Sequence, residues 1–285
     1  MNNLILEALF TTNAIRVCDP EHPFWYTSGT IGPFYINTHF LYKDEMEAAR
    51  LLLLIEEEAK SDRIAFPAFI LEDLLREYET SETYRLVIDM ITEEAKKLDF
   101  DFVSGGERRD FFFSMLPAYF LKKPHLSIFK DLQAVYSTEE FKKTVPVYET
   151  QLAGKKALHI ADLVTEASSY TRAWIPVVRE FGAEMEDTIA VVNRKQGGEE
   201  VLAEEGVRLH SFADIDITLF ENAEKSGSIT AEQLKAVRDF MADPKEFMAD
   251  FFRTHPDYIK DQLALGGKAK ERAEMAIEKG YAARP

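Results

Sequence analysis

Residues 157–174 read ALHIADLVTEASSYTRAW. An apolar run reaches a lone acid, Asp162, then crosses a short Thr/Ser-rich turn and enters a helix. That is the plan of a phosphate-binding strand–loop–helix, in which N–H groups at a helix N-terminus and the helix dipole hold an anion. The turn has no glycine, and it carries Glu166.

The flanking sequence continues the pattern. Upstream, FDFVSGG (100–106) reads as a buried strand ending at a glycine pair, 110–122 as a helix, and HLSIFK (125–130) as a second strand. Polar, structure-poor sequence follows to about Thr150. Then come strand 157–161, helix 169–181 and strands 187–193 and 206–212. Alternating strands and helices predict an α/β fold, a parallel sheet flanked by helices, with ligands beyond the carboxyl ends of the strands.

Residues 2–16 predict a short amphipathic helix, and CDPEHPFWYTSGTIGPFYINTHF (18–40) two short strands around a turn at Ser28-Gly29. Helical spacing runs from Lys43 to Lys60, from Pro67 to about Tyr78, and over 81–98 with Ser81 as cap. After Ile217 the pattern is wholly helical: Thr230 caps one helix, Pro244 opens the next, and Gly266-Gly267 precedes a last charged helix.

A formal net charge of −16 excludes a general nucleic-acid or anionic-membrane binder, since both need a basic face. It leaves room for a small anion in a local basic pocket. Cys18 is the one cysteine, so neither an intrachain disulfide nor a thiolate metal cluster is possible. The N-terminus lacks signal-peptide features and no apolar run is long enough to span a membrane, so a cytoplasmic setting is expected. The six histidines are scattered without ligand spacing, and none is expected to bind metal. His159 reads as a core histidine, and the phenylalanines at 111–113 as helix core.

Four segments in this order resemble the orotate phosphoribosyltransferases of the type I phosphoribosyltransferase family. They are FWYTSGTIGPFYIN (24–37), FDFVSGGERRDFFF (100–113), GKKALHIADLVTEASS (154–169) and GAEMEDTIAVVNRKQGGEEVLAEEGVRLHSF (182–212). The resemblance implies a phosphoribosyltransferase-like domain over 1–220 with an N-terminal hood and a helical insertion near 60–98. Residues 221–285 would then be a helical C-terminal extension. It also implies transfer between phosphoribosyl diphosphate (PRPP) and a nitrogenous base such as orotate, with Mg²⁺ arriving on the diphosphate, in a homodimer. By position, Asp162 would hold the ribose hydroxyls, and Thr165, Ser168 and Ser169 the 5′-phosphate. Arg109 and Lys130 would meet pyrophosphate, and Arg194 and Ser28 the base. Asp162 and Lys130 are the expected catalytic residues.

The departures from the family pattern are chemical. The adjacent acid is replaced by Ala161, and the loop glycine by Ala167. If that position needs φ > 0, alanine costs roughly 1–2 kcal/mol. Glu166 about 4 Å from a phosphate charge would oppose it by about 4 kcal/mol at an effective dielectric near 20, and by far less if it points to solvent. Gln133 stands where the mobile loop's catalytic lysine is expected, Asn193 where an acid precedes Arg194, and Tyr26-Thr27 where a lysine precedes Ser28. Two readings follow: a PRPP-dependent transferase, or a non-catalytic nucleotide- or PRPP-binding regulator on the same fold.

Overall fold

The computed structural model describes residues 3–148 and 150–283; residues 1, 2, 149, 284 and 285, which the expected first helix and domain ends include, lie outside them. The described chain divides into two compact units, 1–14 with 37–216 and 15–36 with 217–285. The hood segment thus groups with the C-terminal helices.

The first unit is built on a 7-stranded sheet. Its strands are β1 (Phe102–Gly106), β2 (His125–Ile128), β3 (Ala134–Ser137), β4 (Thr144–Pro146), β5 (Lys156–Val164), β6 (Glu184–Asn193) and β7 (Arg208–Asp214). Their order across the sheet is β7-β6-β5-β1-β2-β3-β4. Pairing is parallel from β7 to β2, as the alternating pattern predicts. The sheet is nonetheless mixed, because β3 and β4 add antiparallel strands at one edge. Both lie in the stretch read as structure-poor, where β3 is a short apolar run and β4 ends in Pro146, a residue tolerated at a sheet edge.

Helices flank this sheet. Glu45–Ser61, Phe66–Thr80 and Glu82–Ala95 match the expected helical stretches, whereas the helix expected over 2–16 ends at Thr11 and Ile15–Val17 is a strand. Ser81 caps the last of these, its side chain accepting from the Tyr84 N–H. Phe111–Phe120 puts Phe111, Phe112 and Phe113 wholly inside the core. The glycine pair ending β1 has a packing reason. A Cβ on Gly105 would meet Ser114 Oγ at 2.2 Å, and one on Gly106 the Trp174 ring at 2.2 Å. Helices and strand end could not approach this closely around a larger residue.

In the second unit, Ile15–Val17 pairs with Phe34–Ile36, and Phe24–Trp25 with Ile31–Gly32 across the expected turn. Trp25, Ile31, Met248, Phe251, Ile259 and Ala273 share a core in which Trp25 stacks on Tyr258. Thr230 forms a full capping box with Gln233, whose amide also donates to the carbonyls of Val17 and Cys18. Asp243 caps the helix that Pro244 opens. Cys18 is buried, and desolvation pushes its thiol up to about 11, so it stays protonated at neutral pH.

Candidate active site

The carboxyl ends of β1, β2 and β5 surround a cleft of about 370 Å³ lined by Glu107 to Asp110, Lys130, Ala161 to Tyr170, and Trp174. Six of the residues picked from the sequence therefore meet in one place: Asp162, Thr165, Ser168, Ser169, Arg109 and Lys130. Parallel strands deliver this convergence, since every one of them presents its loop on the same side.

Beyond β5 the chain turns at 165–167 and starts a helical segment. Ala167 adopts φ 53, the left-handed region that an alanine enters only at a cost. Among the described residues, the backbone N–H groups of Glu166, Ala167, Ser168 and Ser169 donate to no backbone carbonyl. They remain available to an anion, together with exposed hydroxyls on Ser168 and Ser169. The Glu166 side chain is exposed, where solvent screens its charge. The loop is braced from behind by Gly198, whose N–H donates to the Thr165 carbonyl at 3.0 Å. Arg172 Nε also binds the Ser168 carbonyl, at 3.0 Å.

Asp162 is buried, and its carboxyl is pushed up to about 7, first by desolvation and then by the neighbouring charge of Asp110, with Arg109 opposing. Asp110 was not picked from the sequence. An acid opening a helix reads there as an N-cap, yet its side chain makes no capping bond. It accepts instead from the Gly106 N–H at 3.1 Å and the Asp162 N–H at 3.3 Å. His159 is the core histidine expected, with Nδ1 2.9 Å from Ser104 Oγ on the paired strand.

The cations are partly committed. Lys130 Nζ lies 3.5 Å from Glu107 Oε1 and 3.8 Å from Glu56 Oε1, and Arg108 pairs with Glu56. Arg109, half-buried, forms no ion pair within 4 Å among the described residues. Its charge, with that of Arg108, adds to burial in holding His39 down at about 3. Gln133 is outside the cleft and faces Arg63, and the segment after it is the β3–β4 pair. Arg194 is half-buried, and its N–H donates to the Val164 carbonyl beside the loop, but the residue does not line the cleft. Ser28 belongs to the second unit, where Oγ meets Thr30 Oγ1 at 2.7 Å and the carbonyl accepts from Lys279.

Among the described residues no group of three His, Cys, Asp or Glu side chains could hold a metal ion.

No protein-family model matches the chain. The orotate phosphoribosyltransferase of Sulfolobus acidocaldarius is 24% identical over 160 residues, 56% of this chain and 77% of that protein. The orotate phosphoribosyltransferase of Sulfurisphaera tokodaii is 27% identical over 167 residues, 58% of this chain and 80% of that protein. The solved UMP synthase of Leishmania donovani superposes with a TM-score of 0.56 at 17% identity, over 85% of this chain and 42% of that one. The fold is therefore that of the type I phosphoribosyltransferases. Within that class the chain is orotate phosphoribosyltransferase-like. Among the described residues no helix is long and apolar enough to cross a membrane.

Proposed function

We propose that this protein transfers a phosphoribosyl group between PRPP and an orotate-like base. The observation that carries the reading is the convergence of Asp162, the 165–169 loop, Arg109 and Lys130 on one cleft at the strand ends. The 5′-phosphate sits against the N–H groups of 166–169 and the hydroxyls of Thr165, Ser168 and Ser169. Asp162, once ionised, accepts from the ribose hydroxyls. Arg109 meets the pyrophosphate as it takes on charge, where a guanidinium can bind bidentately. Lys130 joins it by exchanging its carboxylate partners for phosphate oxygens. Arg194 and Ser28 are assigned to the base by the family pattern alone. Mg²⁺ enters with PRPP and neutralises part of its charge. A homodimer in the cytoplasm completes the reading.

A second reading has its own support. Ala161, Gln133 and the carboxylates facing Lys130 leave fewer groups that act only in the transition state. Such a site binds PRPP or a nucleotide and turns over slowly or not at all. Titrating the purified chain with PRPP and Mg²⁺ by calorimetry, then adding orotate and assaying pyrophosphate, separates the two. Pyrophosphate release supports the transferase, saturable binding without release supports the sensor, and absence of binding at millimolar PRPP rejects both.

A further inference from the structure

Two buried polar atoms lack hydrogen-bond partners among the described residues, Oδ2 of Asp162, which lines the cleft, and Nε2 of His159, three residues earlier on β5. Asp110 neighbours both residues. Its Oδ2 lies 3.4 Å from His159 Nε2, off the line of a hydrogen bond, and its Oδ1 accepts from the Asp162 N–H. Asp110 Oδ2 also accepts from the Gly106 N–H, so one carboxylate fastens the end of β1 to the end of β5. Position 161, beside Asp162, holds an alanine with no polar side-chain atom. A second acid has thus come to Asp162 from another strand end.

We propose that Asp110 is a positioning residue: its carboxylate clamps the 106–110 loop to the end of β5 and, set against Asp162, opposes a second negative charge there. The groups facing Asp162 fit this assignment. Asp110 opposes its ionisation and Arg109 favours it; Tyr170, buried beside both acids, hydrogen-bonds Thr188. His159 reaches the pair through Asp110. Glu107, Arg108, Lys130 and Glu166 line the same cleft. Removing the charge of Asp110 leaves desolvation as the dominant influence with Arg109 opposing it, so Asp162 ionises at lower pH than in wild type while burial still holds it above the ordinary carboxylate range. The inference deepens the transferase reading and takes from it only the identity of the ligand.

The test compares the full-length wild type with Asp110→Asn and Asp162→Asn, by PRPP titration from pH 6 to 8 and by melting temperature over the same range. An acid titrating near 7 passes from about a tenth to about nine-tenths ionised, so wild-type affinity gains about tenfold from Asp162 alone. Ionisation of the PRPP phosphate is common to all the proteins and cancels. In Asp110→Asn the Asp162 share of that gain moves to lower pH and shrinks between pH 6 and 8, and the fall of melting temperature moves with it, whereas in Asp162→Asn both disappear. Asp110→Asn lowering the melting temperature equally at every pH, with wild-type pH dependence intact, would reduce Asp110 to a structural tie and overturn the proposal. Should wild type bind no PRPP, the transferase reading fails, while the melting profile alone still decides the inference. Should Asp110→Asn not fold, a carboxyl NMR titration of wild type replaces it. Linked two-step curves for Asp110 and Asp162 support the coupling, and independent curves refute it.

Discussion

The side-chain oxygen of Gln133 accepts a hydrogen bond from the Arg63 guanidinium at 2.9 Å, and the same arginine pairs with Asp131. The family pattern calls for a lysine at 133; here a neutral amide is engaged by a neighbouring cation. Gln133→Lys would set two positive charges against each other. The substitution should lower stability by less than about 1 kcal/mol in urea unfolding, since the site is exposed. It should not raise turnover, because residue 133 lies outside the cleft. A tenfold gain in pyrophosphate release would show that the segment can swing inward.

Ala167 carries backbone strain in the 165–169 loop, with φ 53. Ala167→Gly should stabilise the chain by about 1 kcal/mol, the strain relieved exceeding the added freedom of the unfolded glycine. It should also tighten inorganic phosphate binding by letting ligand approach the backbone. Loss of stability in this variant would mean that the loop relaxes to another conformation.

Asp162 gives a signed pH dependence. In the unfolded chain its carboxyl ionises near 3.8, and in the folded one only near 7. Between those values the folded state holds a proton the unfolded state has lost, so this group's contribution falls as pH rises and is most unfavourable above 7. Asp162→Asn should therefore raise the melting temperature more at pH 8 than at pH 5 while abolishing transfer. Equal shifts at both pH values would show that burial does not oppose the charge.

Gly106 and Trp174 form a tight pair, since a Cβ on the glycine would sit 2.2 Å from the indole. Gly106→Ala should cost about 1–3 kcal/mol by overpacking. Adding Trp174→Leu should recover more than half of it, with a coupling measurable by a double-mutant cycle. Additive losses would place the obstruction elsewhere.

What could be read from the chain, and what could not, divides by range. The period of the apolar residues and the punctuation by Gly, Pro and Ser are local, and they gave the parallel strands, the helix capped at Ser81, the capping residue Thr230 and the helix that Pro244 opens. The strand-then-loop order at 157–169 gave the loop that lines the cleft, because parallel strands send such loops to one side whatever else the sheet contains. The antiparallel β3 and β4 were missed because short edge strands among polar residues carry little periodicity of their own and exist through their neighbours' hydrogen bonds. Asp110 was missed for the same reason. An acid before a helix is locally a cap, and only the approach of β1 to β5 turns its carboxylate toward Gly106 and Asp162. Local pattern along the chain specified which residues could form the strands, loops and caps. Tertiary structure decided which charges face one another, because electrostatic coupling depends on distance in space and on burial, and neither is written in the spacing along the chain.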